Sequence, residues 1–249
     1  MATVIPFPDG GFHFIRGVFP YSAGVAAQPG FAIERVRFRR VVPLADGFAA
    51  IAAHLQALGR PLTAFCGCEL RSPMQFTDEA FAAFNAVYVA TLEEWKLFRD
   101  GINAVARSNL APAVRPPAVP GFHAFSYTVP QAGANPSFVI AGSGEVPEGR
   151  TNYRDHIVAK GDTSPQGLLQ KARWVLGEQE RRLSGLGFGW HDVTATQVYT
   201  VHNIHPFMAS ELTARGADAD GIHWHYVRPP IVDLDFEMDC RGVMLERVL

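Results

Sequence analysis

A chain of 249 residues, 48% hydrophobic and 18% charged, has the composition of a packed soluble protein with room for one large domain or two ordinary ones. Its formal charge of −2 exerts no global pull toward nucleic acid or an anionic membrane, and no stretch has the length and apolarity of a membrane span. Cys66, Cys68 and Cys240 do not form a secreted disulfide framework and no segment patterns as a signal peptide, so a reduced, cytoplasmic setting is expected.

The first thirty residues, rich in Gly, Pro and Phe, read as irregular structure with one short strand. From Phe31 to Val42, Ile33, Val36 and Phe38 are interleaved with Glu34, Arg35, Arg37 and Arg39, the pattern of a strand with one wet face. Asp46 is placed to cap a helix over Phe48–Leu58, which Gly59 ends, and Thr63–Leu70 follows as a strand. Thr77 opens a second helix, with Asp78 and Glu79 in the first turn where acids suit the helix dipole. Phe81, Phe84, Val87, Tyr88 and Leu92 recur at helical spacing and read as core. Phe122–Val129 is the next strand.

Gln131–Pro136 has the composition of a linker. Phe138–Ala141 is then a short apolar strand, and Glu145–Asp162 a polar excursion long enough to be a functional loop. Ser164 or Thr163 caps a long helix, Gln166–Leu186, with Pro165 in its first turn. A strand over Asp192–Val201, a short helix near Pro206–Arg215 and a last strand over Asp233–Cys240 complete the series.

Parts of this series recur. A helix ends at Leu55, Leu58 and Gly59 and enters a strand; the same sequence of events follows Leu183, Leu186 and Gly187. An Arg-Pro-Pro step precedes the final strand of each half, at Arg115–Pro117 and Arg228–Pro230. Two copies of one unit with unequal insertions is the economical reading. It divides the chain into residues 1–130 and 131–249, each a mainly antiparallel sheet with helices on one face, an α+β fold.

Several short motifs resemble the RidA/YjgF family of reactive-imine deaminases, whose fold is similar to chorismate mutase. In the first half Pro20, Tyr21, Ser22 and Ala23 resemble the family's Pro-Tyr-Ser segment, Phe81 to Tyr88 its second helix, and Ala106, Arg107 and Ser108 its Ala-Arg-Ser step. In the second half Phe138 to Gly142, followed by Ser143 and Gly144, resemble the strand ending in Ser-Gly, and Asp235 to Asp239 resemble the last strand. The resemblance implies that Arg107 grips a substrate carboxylate and that Glu237 orients water. It also implies a homotrimer with sites at the seams between domains. Neither half carries a whole family site: the first has His123–Phe125 where the glutamate belongs, and the second has His223, Trp224 and His225 where the arginine step belongs. The expected site is therefore composite, with Arg107 and Tyr21 from one half and Gly142 and Glu237 from the other.

Each candidate also has a structural reading. Arg107 is either a carboxylate clamp, by paired hydrogen bonds, or a loop arginine bonded to nearby carbonyls. Arg115 and Arg228 share a structural job before the last strand, extended because a proline follows each, or else Arg228 replaces Arg107 as the clamp. Glu237 either positions water or belongs to an exposed acidic face with Asp233, Asp235 and Asp239. Glycine at 142 permits close approach of backbone to substrate. His225 is a general acid or a packed histidine, and the pair His223 and His225, with His202 and His205, has no helix-borne or cysteine partner that would make it a metal site. Cys66 and Cys68 read as buried thiols. The leading expectation is a hydrolytic deaminase of a small enamine or imine carboxylate, 2-aminomuconate-like or a 2-imino acid, with no metal or cofactor. A chorismatase-like hydrolase or lyase and a non-catalytic ligand-binding trimer are the alternatives. The family's older ribonuclease label finds no basic, aromatic-interleaved patch here.

Overall fold

The computed structural model describes residues 2–150 and 152–249; Met1 and Thr151, which fall in the opening segment and the polar excursion, lie outside them. The chain opens with β1 (Val4–Phe7), β2 (Phe12–Ile15) and β3 (Gly24–Ala27), then β4 (Phe31–Pro43), α1 (Leu44–Ala57), β5 (Phe65–Arg71) and α2 (Asp78–Glu94). A small hairpin, β6 (Phe98–Arg99) and β7 (Ile102–Asn103), leads to β8 (Ala106–Pro112) and β9 (Gly121–Pro130). Next come β10 (Phe138–Gly144), α3 (Pro165–Leu186), β11 (Ala195–Tyr199) and short helical turns over residues 205–215. The last strands are β12 (Ile222–His225), β13 (Val227–Arg228), β14 (Glu237–Gly242) and β15 (Leu245–Val248).

These strands make two large sheets, in the orders β13-β8-β5-β9-β4-β15 and β1-β2-β3-β10-β14-β11-β12. Within each, one parallel pair (β5 with β8, β11 with β12) adjoins two antiparallel pairings of the same sense. The mixed α+β architecture agrees with the sequence pattern. The boundary at 130/131 separates β9 from β10 but not the two sheets. Strand β3 pairs with β10, which brings β1–β3 into the second sheet, and β15 returns to pair in parallel with β4.

Helices cover one face of each sheet because their apolar residues share one side. Phe48, Ile51 and Leu55 of α1 are buried with Phe65 and Phe122. Leu168, Ala172, Val175, Leu176 and Leu183 of α3 pack on Phe138, Ile140, Val198 and Met238. Thr77 Oγ1 accepts from the Ala80 N–H at 3.2 Å, and Ser164 Oγ from Gly167 at 3.2 Å, as capping chemistry predicts. Asp46 does not cap α1. The helix starts two residues earlier, at Leu44, and Asp46 lies in its first turn. All three cysteines are free and buried, and burial pushes the Cys68 thiol up to about 12.

The opposite faces carry polar side chains that meet between the sheets. Alternation sets Glu69 and Arg71 opposite Cys68 and Leu70 on β5. Arg35 holds Glu69 through two hydrogen bonds of 2.7 and 3.0 Å. Across the gap, Asp239 accepts from Ser108 Oγ, from Gln197 at 2.7 Å and from Tyr199 at 2.8 Å. The exposed acidic face that stood as the alternative reading of Glu237 is thus not formed. Strand β14 begins at Glu237, Glu237 and Asp239 are buried, Asp235 pairs with Lys171 and His202, and Asp233 lies before the strand, paired with Arg154. No helix among the described residues is long and apolar enough to cross a membrane.

Candidate active site

Arg107 projects from β8 toward α2, where its Nη2 donates to Asn85 Oδ1 at 2.8 Å. Its guanidinium carbon lies 4.9 Å from the Tyr88 ring centroid and 5.4 Å from that of Tyr21, with Phe81 and Phe84 also within cation–π reach. Nη1 has no hydrogen-bond partner, and Arg107 makes no ion pair among the described residues. A buried cation without an anion is expensive, so this donor is suited to an incoming carboxylate. Two residues along the same strand face, Asn109 Oδ1 accepts from Ser72 Oγ at 3.0 Å while its buried Nδ2 has no partner.

The facing wall comes from the second sheet. The pairing of β10 with β14 shifts register between Ile140 and Ser143, and this bulge carries Gly142 past the Glu237 side chain. A Cβ at 142 would overlap Glu237 Oε1 and lie 3.1 Å from Ser108 Oγ. The glycine therefore makes room for a carboxyl group, rather than for close approach of backbone to substrate. Helix α3 holds the bulge: Gln179 donates to Ser143 Oγ at 2.9 Å, and Arg182 Nη1 to Ala141 O at 2.8 Å. Arg182 Nη2 donates to Glu148 Oε1 at 2.8 Å.

Glu237 is buried and has no cation within ion-pair distance among the described residues. Burial, then the neighbouring carboxylates of Asp239 and Glu145, push it well above the usual carboxylate range, against the weaker pull of Arg182 and Arg71. Its carboxyl favours the neutral form, which is a proton donor.

Arg107, Asn109, Tyr21, Gly142, Arg182 and Glu237 line one pocket. Phe81, Ile231 and Leu234 supply apolar wall. Four of the residues expected from sequence thus converge inside a single chain, two from each half. The others do not. Arg115 is exposed between β8 and β9 at φ +53°, not extended as its proline neighbour suggested; the bend of that connection prevails. Arg228 is exposed on β13, opposite Ala111. His225 lies in the polar layer between the sheets, its Nε2 3.1 Å from Gln197 Oε1. Burial and the Arg71 guanidinium hold its pKa down at about 4, so it is a neutral imidazole outside the pocket.

The family model for 2-aminomuconate deaminase CnbZ matches residues 4–247. A 2-amino-5-chloromuconate deaminase from Comamonas testosteroni is 51% identical over 251 residues, covering 100% of both chains. The chain belongs to the CnbZ family. Among solved structures, a chorismatase superposes with a TM-score of 0.51 and 14% identity, over 94% of this chain and 77% of the other. That likeness concerns fold alone.

Membership in the CnbZ family corrects the RidA/YjgF resemblance while keeping its deaminase character. The short motifs that carried the resemblance are divided between two sheets, and the match that spans the chain is to CnbZ. Sequence reasoning missed Arg182, Glu148, Glu178, Tyr153 and Asn109, all of which line the pocket of this CnbZ-family chain. Glu148 and Tyr153 come from the polar excursion, whose length did mark it as functional. Arg182 and Glu178 sit on a helix, where charged residues read as a solvated face. Asn109 carried a usable signal: it shares a strand face with Arg107.

Proposed function

We propose that the chain is a hydrolytic deaminase acting on a 2-aminomuconate-like enamine dicarboxylate. The observation that carries this reading is one pocket with a free donor of buried Arg107 on one wall and the unpaired, neutral-leaning carboxyl of Glu237 on the other. Arg107 binds the carboxylate beside the C–N bond. Glu237 gives its proton to a carbon of the conjugated enamine, which becomes an iminium, and the resulting carboxylate takes a proton from water as the water oxygen bonds to the iminium carbon. The restored carboxyl then protonates the amine. The C–N bond breaks with its electron pair on nitrogen, and the hydroxyl proton returns to Glu237 as the carbonyl forms. One water is consumed, and ammonia and a 2-oxo dicarboxylate leave; no electron acceptor enters the balance. The full-length identity to a chloromuconate deaminase supports the substrate class.

Purified protein is expected to release ammonia from 2-aminomuconate, with kcat/KM about a hundredfold lower in Arg107→Ala, the scale of losing hydrogen bonds to a charged group. Consumption of chorismate without any ammonia from 2-aminomuconate would replace this reading with the chorismatase alternative.

A further inference from the structure

Six buried side-chain nitrogen atoms lack a hydrogen-bond partner among the described residues, and three of them, Arg107 Nη1, Asn109 Nδ2 and Arg182 Nε, belong to residues lining the one pocket. Arginine at 107 is accounted for by the carboxylate next to the reacting carbon. Asn109 is not used by that chemistry, yet its side chain is the more constrained. Ser72 is fully buried, anchored by its own N–H to Leu110 O at 2.8 Å, and its hydroxyl donates to Asn109 Oδ1. With the oxygen engaged, the amide cannot flip without losing that bond, and only the NH2 is offered to a ligand. A buried amide donor left unpaired is unfavourable unless a ligand acceptor meets it.

Residues two apart on one strand face stand roughly 6.6 Å apart, from the usual rise per residue. That spacing along β8 suits the two ends of a short conjugated diacid. Resting on the deaminase reading, we propose that Asn109, oriented by Ser72, is the specificity determinant for the second carboxylate of the substrate. Arg107 fixes the carboxylate beside the C–N bond, and Asn109 Nδ2 donates to the distal one. The pocket thereby selects conjugated dicarboxylates over monocarboxylate enamines and imines.

The test separates binding from turnover by using unreactive ligands that differ only at the distal end. Calorimetric Kd values are compared for trans,trans-hexadienedioate and for 2,4-hexadienoate, which lacks the second carboxylate. The unmodified protein is expected to prefer the diacid by about tenfold or more, the scale of one hydrogen bond to a charged group. Asn109→Ala brings the ratio close to one. Asn109→Asp keeps the side-chain shape but sets a carboxylate against the ligand's, and inverts the preference. Ser72→Ala, which only frees the amide to rotate, lowers the ratio by less. Equal affinities in the unmodified protein, or an unaltered ratio in folded Asn109→Ala and Asn109→Asp, would overturn the assignment. Failure of the deaminase reading is recorded separately, as absence of ammonia from 2-aminomuconate by a protein that still prefers the diacid.

Discussion

Strands β8, β5, β9 and β4 run in the same order and with the same relative directions as β12, β11, β14 and β10, but their surroundings diverge. Over the first sheet, the 17 residues of α2 set Phe81, Phe84 and Tyr88 around Arg107. In the second, short turns over 205–215 occupy the equivalent place in chain order, and His223 and Trp224 on β12 remain exposed. The second sheet compensates through the 22 residues of α3, which pack beside those turns and supply Gln179 and Arg182 to hold the β10 bulge beside Glu237. In the first sheet, the strand that corresponds to β14 in order is β9, and it carries His123. Two similar sheets therefore yield one pocket, because each supplies a part that the other lacks. The polar layer between them holds histidines that are half-buried and outside that pocket.

The sharpest way to break this division is to change one titratable side chain on each of the two corresponding strands. Glu237→Gln removes the proton donor while preserving shape, and is expected to lower kcat by about 10²–10⁴, with KM little changed. His123→Gln, in the corresponding strand of the other sheet, is expected to cost less than about threefold, well below the scale of general acid catalysis. Steady-state kinetics with 2-aminomuconate decides it; comparable losses in both would mean that the first sheet also does chemistry.

A smaller effect distinguishes two glycines. In Gly142→Ala the new methyl must displace the Glu237 carboxyl or open the bulge, an overpacking cost of about 1–3 kcal/mol, with activity falling in parallel. Gly67 on β5 faces the same interior, but a Cβ there meets Ser126 Cβ at 3.4 Å, an ordinary contact. Gly67→Ala is expected to change stability by no more than about 1 kcal/mol. Denaturant melts of the two variants check the pair. A tolerated Gly142→Ala with full activity would show that Glu237 does not need its present place.

The helices, with their Thr77 and Ser164 caps and their apolar faces, were legible in the sequence because capping and periodicity are local signals. So was the pairing of Arg107 and Tyr21 with Gly142 and Glu237, since each lies in a short motif. Strand exchange was not legible. That β3 would pair with β10 and β15 with β4 depends on edges that only the assembled sheets present. The acids of the last strand stayed ambiguous for the same reason. Alternation shows that Glu237 and Asp239 share a face, but not that this face is covered by β8. Arg182 illustrates the limit most clearly: a fully buried guanidinium on α3 is indistinguishable in sequence from the exposed Arg181 beside it.

The weakest expected effect concerns pH, and it sets the histidines of the polar layer against the glutamate of the pocket. His123 is held down at about 3 and His225 at about 4, first by burial and then by Arg71. Both are lowered from the ordinary 6.5, so the folded protein binds fewer protons there than the unfolded chain. Their contribution to stability is complete above about pH 6.5 and is lost as pH falls toward 4 and then 3. Glu237 has the opposite sign: its raised pKa means that stability and proton-donating activity are complete in acid and decline as pH rises through its folded value. A double variant, His123→Gln with His225→Asn, is expected to flatten the fall of Tm between pH 6.5 and 4 while leaving the alkaline limb of kcat in place. Glu237→Gln should flatten only the alkaline side of the stability profile. If the histidine variant instead moves the alkaline limb of kcat, the polar layer and the pocket titrate as one unit, and the separation of the two regions fails.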